Sequence, residues 1–364
     1  MSIEKLVRKE VRLLKPYNPG QSISDIKLKY GLEEVFNLAT NESVIGPSTV
    51  VQKALKTELA NINQYPDGSS FLLRRALSEK YNIDSDMLII TNGGDELLYL
   101  LGSCFISPDD EIITGEYGFS TYEIVGSLYG AKIIKVPLRQ GFLDLTRTVA
   151  HITAKTKLIF LCNPHNPDGT IFTQEDFNDF LKELPANIII VLDEAYADFV
   201  ENPKYPDSIR MIKENNHNII SLRTFSKIGG IAGLRIGFGI TSREFINCLR
   251  KVQPPYSVNR LAQIAARAFL SDNNYQKNLL QNNKKGKKYL YQQLNKLNLF
   301  YYPTESNFIF VDLQKDSDLM CTELIKRGII VRSGKVWGKN TWVRVTIGTP
   351  VQNRQLIRAL EKIL

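Results

Sequence analysis

Histidine, cysteine and tryptophan are scarce in this chain, with three, four and two residues among 364. Cys104, Cys162, Cys248 and Cys321 stand far apart and form no C-x-x-C pair. With so few histidines no local zinc motif can be assembled, so no metal is expected, and the scattered thiols suit a reducing compartment. Long apolar runs are missing as well. The longest, "NIIIVL" and "LIFLC", fall far short of a bilayer span, and the opening "MSIEKLVRKEVRLLKPY" lacks the unbroken apolar stretch of a leader; a soluble cytoplasmic protein is the expectation. An excess of one charge is only mild: 46 basic against 38 acidic residues give +8, spread along the chain. The single basic cluster, "NNKKGKKYLYQQL", reads as the solvated face of a helix. No nucleic-acid-binding motif accompanies it, and no nucleic-acid partner is expected.

What is present is enough apolar residue, 43%, to bury a large core. Runs rich in Ile and Val, "MLIIT", "DEIITGE", "KIIKVPL", "KLIFLCNP", "NIIIVLDEAY", "NIISLRTFS" and "RIGFGI", alternate with helical segments. Continuous apolar strands separated by helices imply an α/β fold, a mainly parallel sheet buried on both faces. The pattern changes at Lys251 to a long polar and apolar helical stretch, then to short strands, "SNFIFVDL", "GIIVR" and "WVRVTIGT". The expected organisation is a large α/β domain over 41–250, a smaller α+β domain over 251–364, and an N-terminal arm, 1–40, that packs on the small domain or a neighbouring subunit.

Ligands of open α/β sheets bind beyond the carboxyl ends of the strands, so the residues following each run carry the information. Gly94 and Asp95 open a helix, whose free N–H groups suit a phosphate, although a Gly-Gly turn also serves as a tight connection. The two Asn-Pro pairs of "NPHNPDGT" make a rigid turn that can hold Asn166 outward. Asp193 ends a wholly apolar strand and must find a cation or shift its pKa, with Tyr196 three residues on. In "TFSKIGGIAGLRIGFGI", Thr224 and Ser226 precede Lys227, and Arg235 lies among glycines. Arginine's fork suits a phosphate, while a lysine made less basic by burial and nearby cations can attack an aldehyde. Together these features suit pyridoxal 5'-phosphate, a phosphorylated pyridine aldehyde.

The stretches "SLRTFSKIGGIAGLRIGFGI", "CNPHNPDGTIF", "VLDEAYADF", "NQYPDGSSFLLRRAL", "TNGGDELLYLL" and "VRVTIGTP" resemble the motifs of class II aminotransferases of the pyridoxal-phosphate fold type I. Within that family they are most similar to the histidinol-phosphate aminotransferases, from "LLKPYNPGQS" to the C-terminus. The resemblance implies that Lys227 bonds to the cofactor aldehyde and carries the proton, that Asp193 pairs with the pyridine nitrogen, and that Asn166 and Tyr196 bond the ring oxygen. It assigns the phosphate to Gly94, Asp95, Thr224, Ser226 and Arg235, and the stacking ring to Phe119 rather than Tyr117. Arg332 and Arg344 would receive the carboxylate of glutamate and the substrate phosphate in turn, with Asn41 beside them, although Arg332 could also be a paired surface charge. Tyr65 and Tyr256 would reach into the neighbouring subunit's site, making a homodimer, and Tyr17 would lie on a lid.

The expected reaction exchanges the amine between glutamate and imidazole-acetol phosphate. Aminotransfer to aromatic or other phosphorylated ketones, and decarboxylation of an O-phospho amino acid, remain alternatives; a cofactor-bearing nucleic-acid binder is a reading of another class. Three departures bear on the substrate pocket. Ser43-Val44 stand where the family writes Asn-Pro, Asp168 where it writes Thr, and Tyr117-Gly118 where it writes Pro-Thr.

Overall fold

The computed structural model describes residues 3–12, 14–16, 22–214 and 216–364. Among these residues twelve strands follow in chain order: β1 (Phe36–Asn37), β2 (Leu88–Thr91), β3 (Glu111–Gly115), β4 (Lys132–Val136), β5 (Thr156–Cys162), β6 (Ile189–Asp193), β7 (Asn218–Thr224), β8 (Gly237–Ile240), β9 (Phe308–Asp312), β10 (Ile329–Ile330), β11 (Arg332–Ser333) and β12 (Trp342–Thr346). Seven form one sheet in the order β2-β8-β7-β6-β5-β3-β4, in which β8 alone runs antiparallel to its neighbours. The α/β expectation therefore holds, with one reversed strand. Helices cover both faces. Along β6, Ile189 and Val191 enter one apolar cluster while Ile190 and Leu192 enter the other, so an unbroken apolar run is a period-two strand buried on both sides.

The same alternation separates the acid that ends this strand, Asp193, from the one that follows it. Asp193 faces the ligand edge. Glu194, fully buried, turns the other way to an ion pair with Arg223 at 3.0 Å and to hydroxyl donors from Ser208 and Tyr205.

A second core forms around β11-β12-β9, the helix Ser317–Ile325 and the C-terminal helix Pro350–Ile363. Sequence pattern changes at Lys251, but packing changes later. The helix Arg260–Leu270 buries Ala262, Ala265, Ala266 and Phe269 in the core of the large sheet, against the helices Thr49–Glu58 and Phe71–Tyr81. The long helix Asn273–Lys296 then crosses over, contributing Leu279 to the first core and Leu290 and Leu294 to the second. One helix serves two cores because its ends lie far apart, which no local pattern change announces. On it, Lys284 and Lys287 pair with Glu201 at 2.6 and 3.0 Å.

The arm also divides. Arg8 donates to the carbonyl of Leu128, on a helix of the large sheet's layer, at 2.9 Å, whereas β1 pairs with β10 and Leu38 enters the smaller core. Docking on the smaller unit thus describes only the arm's second part; the guanidinium of Arg8 finds its acceptor at the open C-terminal end of the helix Thr121–Leu128.

Candidate functional site

A cavity of about 610 Å³ lies at the carboxyl edge of the large sheet, closed on the far side by β11, β12 and the turn Gly334–Trp337. It brings together Asn41, Gly94, Asp95, Phe119, Asn166, Asp193, Tyr196, Thr224, Ser226, Lys227, Arg235, Arg332 and Arg344. Tyr65 and Tyr256 are elsewhere: their rings stack 4.8 Å apart on the outer surface, 78% and 51% exposed. Tyr17 lies outside the described residues.

At one end the cavity is an anion cradle. The helix Gly93–Phe105 starts there with its unpaired N–H groups. Arg235 reaches across Gly93, where a Cβ would sit 2.8 Å from Nη2; only glycine, here at a φ of +78°, admits the guanidinium so close to the backbone. Arg235 lies 3.4 Å from Ser226 Oγ and 3.4 Å from a carboxylate oxygen of Asp95, and Thr224 Oγ1 is 3.0 Å from Ser226 Oγ. Gly237 lets β8 close in, because a Cβ there would meet the backbone of Gly93 and Gly94 at 2.9 Å.

At the floor stands Asp193. Its carboxylate accepts from the Tyr122 hydroxyl and, at 3.0 Å, from the amide of Ala195, while burial pushes its pKa upward against those bonds. Tyr122 is itself clamped by stacking on Phe160 at 4.9 Å, and Phe119 meets it edge-on. Such a carboxylate is poised to accept from a positively charged N–H donor.

Lys227 projects from the turn after β7. Its Nζ donates to the carbonyl of Thr40 at 2.9 Å and lies 5.8 Å from the ring of Tyr196. Desolvation, followed by the positive charge of Arg344, lowers its pKa to about 8; Arg235 acts in the same direction, and Glu42 and Asp193 oppose. A larger share than for an ordinary lysine is therefore a neutral, nucleophilic amine near neutral pH. Tyr196 accepts from Asn41 Nδ2 at 3.1 Å, and burial raises its hydroxyl pKa to about 12, so it stays a donor.

The opposite wall is cationic. Arg332 and Arg344 are directly opposite one another on the antiparallel strands β11 and β12. Two like charges in that register repel and ask for an anion between or beside them. Arg344 donates to Asn166 Oδ1 and to the carbonyl of Ala39, with the rings of Trp337 and Phe308 at 5.2 and 5.4 Å. For Arg332 no carboxylate partner is found among the described residues.

The family-model comparison matches residues 33–360 to "Aminotransferase class I and II". The chain belongs to this aminotransferase family. A relative from Moorella thermoacetica, named histidinol-phosphate aminotransferase, is 44% identical over 98% of this chain and 92% of its own length. One from Carboxydothermus hydrogenoformans, named histidinol-phosphate aminotransferase 2, is 39% identical over 99% of each. The fold agrees with that of histidinol-phosphate aminotransferase from Sinorhizobium meliloti, solved in complex with pyridoxal-5'-phosphate: the TM-score is 0.89 over 98% of each chain, at 23% identity.

Sequence reasoning missed three parts of this aminotransferase's cavity. The backbone of Ala39 and Thr40 holds Arg344 and Lys227, and a main-chain acceptor leaves no mark in residue type. Tyr122, beneath Asp193, carried no distinct signal, since its helix also holds Thr121, Glu123 and Ser127. Trp337, in the loop "SGKVWG", carried none.

Proposed function

We propose that this aminotransferase is a histidinol-phosphate aminotransferase, exchanging an amine between L-glutamate and imidazole-acetol phosphate with pyridoxal phosphate as cofactor. The observation that carries the reading is the arginine pair, Arg332 opposite Arg344, facing the same cavity as Lys227. A cationic wall of that kind suits a substrate that presents a carboxylate in one half-reaction and a phosphate in the other. The names of the full-length relatives agree with it.

The residues fit the cofactor. Thr224, Ser226, Arg235 and the helix start at Gly94 and Asp95 would hold its phosphate. Asp193 would accept from its ring nitrogen, Asn166 and Tyr196 would donate to its ring oxygen, and Phe119 would cover its face. With Asn166 Oδ1 engaged by Arg344, the amide NH2 is the group available for donation. When bound, pyridoxal phosphate supplies an electron sink that makes the substrate α-hydrogen acidic. Lys227 provides the covalent anchor and, in its neutral form, the base that takes the α-proton and returns it on the way to product. Asn41 and the carbonyl of Thr40 hold Tyr196 and Lys227 in position. Arg344, buried and already bonded to Asn166, would bring the substrate anion in beside that residue.

A homodimer is part of the proposal. Tyr65, Tyr256 and Ile62 expose apolar surface on one face away from this chain's own cavity, as expected if the two tyrosines complete the partner's site. The cytoplasm is the proposed location.

The test mixes holoenzyme with L-glutamate alone, measuring 2-oxoglutarate and carbon dioxide, and then offers histidinol phosphate with 2-oxoglutarate. Stoichiometric 2-oxoglutarate in the first step and turnover in the second are expected. A third mixture offers an O-phospho amino acid; carbon dioxide from it, without amine exchange in the first two, would move the assignment to a decarboxylase.

A further inference from the structure

Two of the departures from the family pattern, Asp168 and Tyr117-Gly118, meet in one place. Tyr117 donates its hydroxyl to Asp168 Oδ1 at 3.3 Å, and Asp168 Oδ2 lies 2.8 Å from His165 Nδ1, all three residues being buried. On the other side of the same segment, Trp337 Nε1 donates to the carbonyl of Gly118 at 2.9 Å, and Lys339 Nζ lies 4.8 Å from the Tyr117 ring. Gly118 is thus held between His165, whose Nε2 would be 3.6 Å from a Cβ there, and the indole. The indole has a second contact: the guanidinium of Arg344 lies 5.2 Å from its ring centroid, and Phe310 meets it edge-on at 5.7 Å. Trp337 also lines the cavity.

One side chain, 219 residues away from Gly118 in sequence, therefore touches both the segment that carries Phe119 and the arginine of the opposite wall. We propose that Trp337 is a positioning residue that ties Arg344 to the Tyr117–Phe119 segment, so that the substrate's anion site and the ring-covering segment close as one unit. This rests on the reading that Arg344 receives a substrate carboxylate. The indole N–H fixes the distance between the two walls, and its face limits the directions in which the guanidinium can swing. Because the tie acts on the bound substrate rather than on the proton transfer, it governs KM more than kcat.

The test uses holoenzyme carrying Trp337→Phe, Trp337→Leu or Arg344→Gln, with calorimetric affinity for succinate, an unreactive dicarboxylate, and KM and kcat for glutamate. Phenylalanine keeps a ring beside Arg344 but loses the N–H, and should weaken succinate and raise KM about 3- to 10-fold. Leucine loses both and should cost about 10- to 50-fold. In both, kcat should stay within about twofold. The Arg344→Gln protein should lose at least about tenfold in succinate affinity. Normal succinate binding in both Trp337 variants, with Arg344→Gln impaired, would overturn the tie while leaving the arginine reading intact. Normal binding in all three would remove both. A lower melting temperature with unchanged KM would reduce Trp337 to a structural residue and also overturn the proposal.

Discussion

The floor and the far wall of the cavity are built by different means. The floor, with Asp193, Lys227, Thr224, Ser226 and the helix start at Gly94, hangs on the carboxyl ends of β6, β7 and β2, three strands of one sheet. Each of its groups follows an apolar run, and its distances are set by strand spacing. The far wall, with Arg332, Arg344 and Trp337, belongs to a different sheet and core, and meets the floor side through contacts such as Arg344 with Asn166 and Trp337 with Gly118. A floor fixed by one sheet suits chemistry that must stay aligned. A wall held by a few long-range bonds suits a surface that admits and releases substrate.

The largest expected break is at the floor. Lys227→Ala should lower the glutamate half-reaction by about 10⁴-fold or more, and leave the protein without a borohydride-trappable cofactor adduct by mass spectrometry. Cofactor should still co-purify through Arg235 and Asp193. Asp193→Asn should follow, with kcat down about 10²- to 10³-fold and little change in KM, since it removes a charge that matters most as the α-proton leaves. An equal rise in KM would place Asp193 with the far wall instead.

Arg344→Gln should raise KM for glutamate about 10- to 100-fold through the lost charge-assisted bonds. The same change should link the two regions, because Arg344 is the leading charge that lowers the Lys227 pKa. In the native protein the rate at which apo-protein captures pyridoxal phosphate should rise with pH with a midpoint at about 8, and in the variant that midpoint should move upward toward the ordinary lysine value. The sign in stability is the same: a lysine pKa lowered in the fold costs most below pH about 8, and that cost is relieved as pH climbs toward 10.5.

The smallest effect on catalysis should come from Asp168→Ala. It leaves His165 Nδ1 and the Tyr117 hydroxyl buried without this acceptor, worth about 2 to 3 kcal/mol in denaturant unfolding, with kcat changed only a few-fold. A large fall in kcat at unchanged stability would show that the support behind Gly118 belongs to the chemistry.

The chain alone made the floor legible. An apolar run ending in Asp193, a Gly-Gly helix start at Gly94 and a lysine preceded by hydroxyls are local patterns, because each strand's burial and each helix's start are dictated by adjacent residues. The far wall was legible only through resemblance to a family, and then only at Arg332 and Arg344. The crossing of the helix Asn273–Lys296 between two cores, the arm's hold on Leu128 and the place of Tyr65 and Tyr256 outside the chain's own cavity left no periodic trace.

By itself, then, the sequence determined a two-sided α/β sheet and the order of reactive groups along its edge, since period-two burial and helix starts are short-range facts. Tertiary structure alone decided that Arg332 stands opposite Arg344, that the carbonyls of Ala39 and Thr40 hold Arg344 and Lys227, and that Trp337 reaches Gly118. Those pairings join residues far apart in the chain. They depend on how two cores settle against each other, which is a property of packed volumes and satisfied polar groups rather than of any neighbouring residue type.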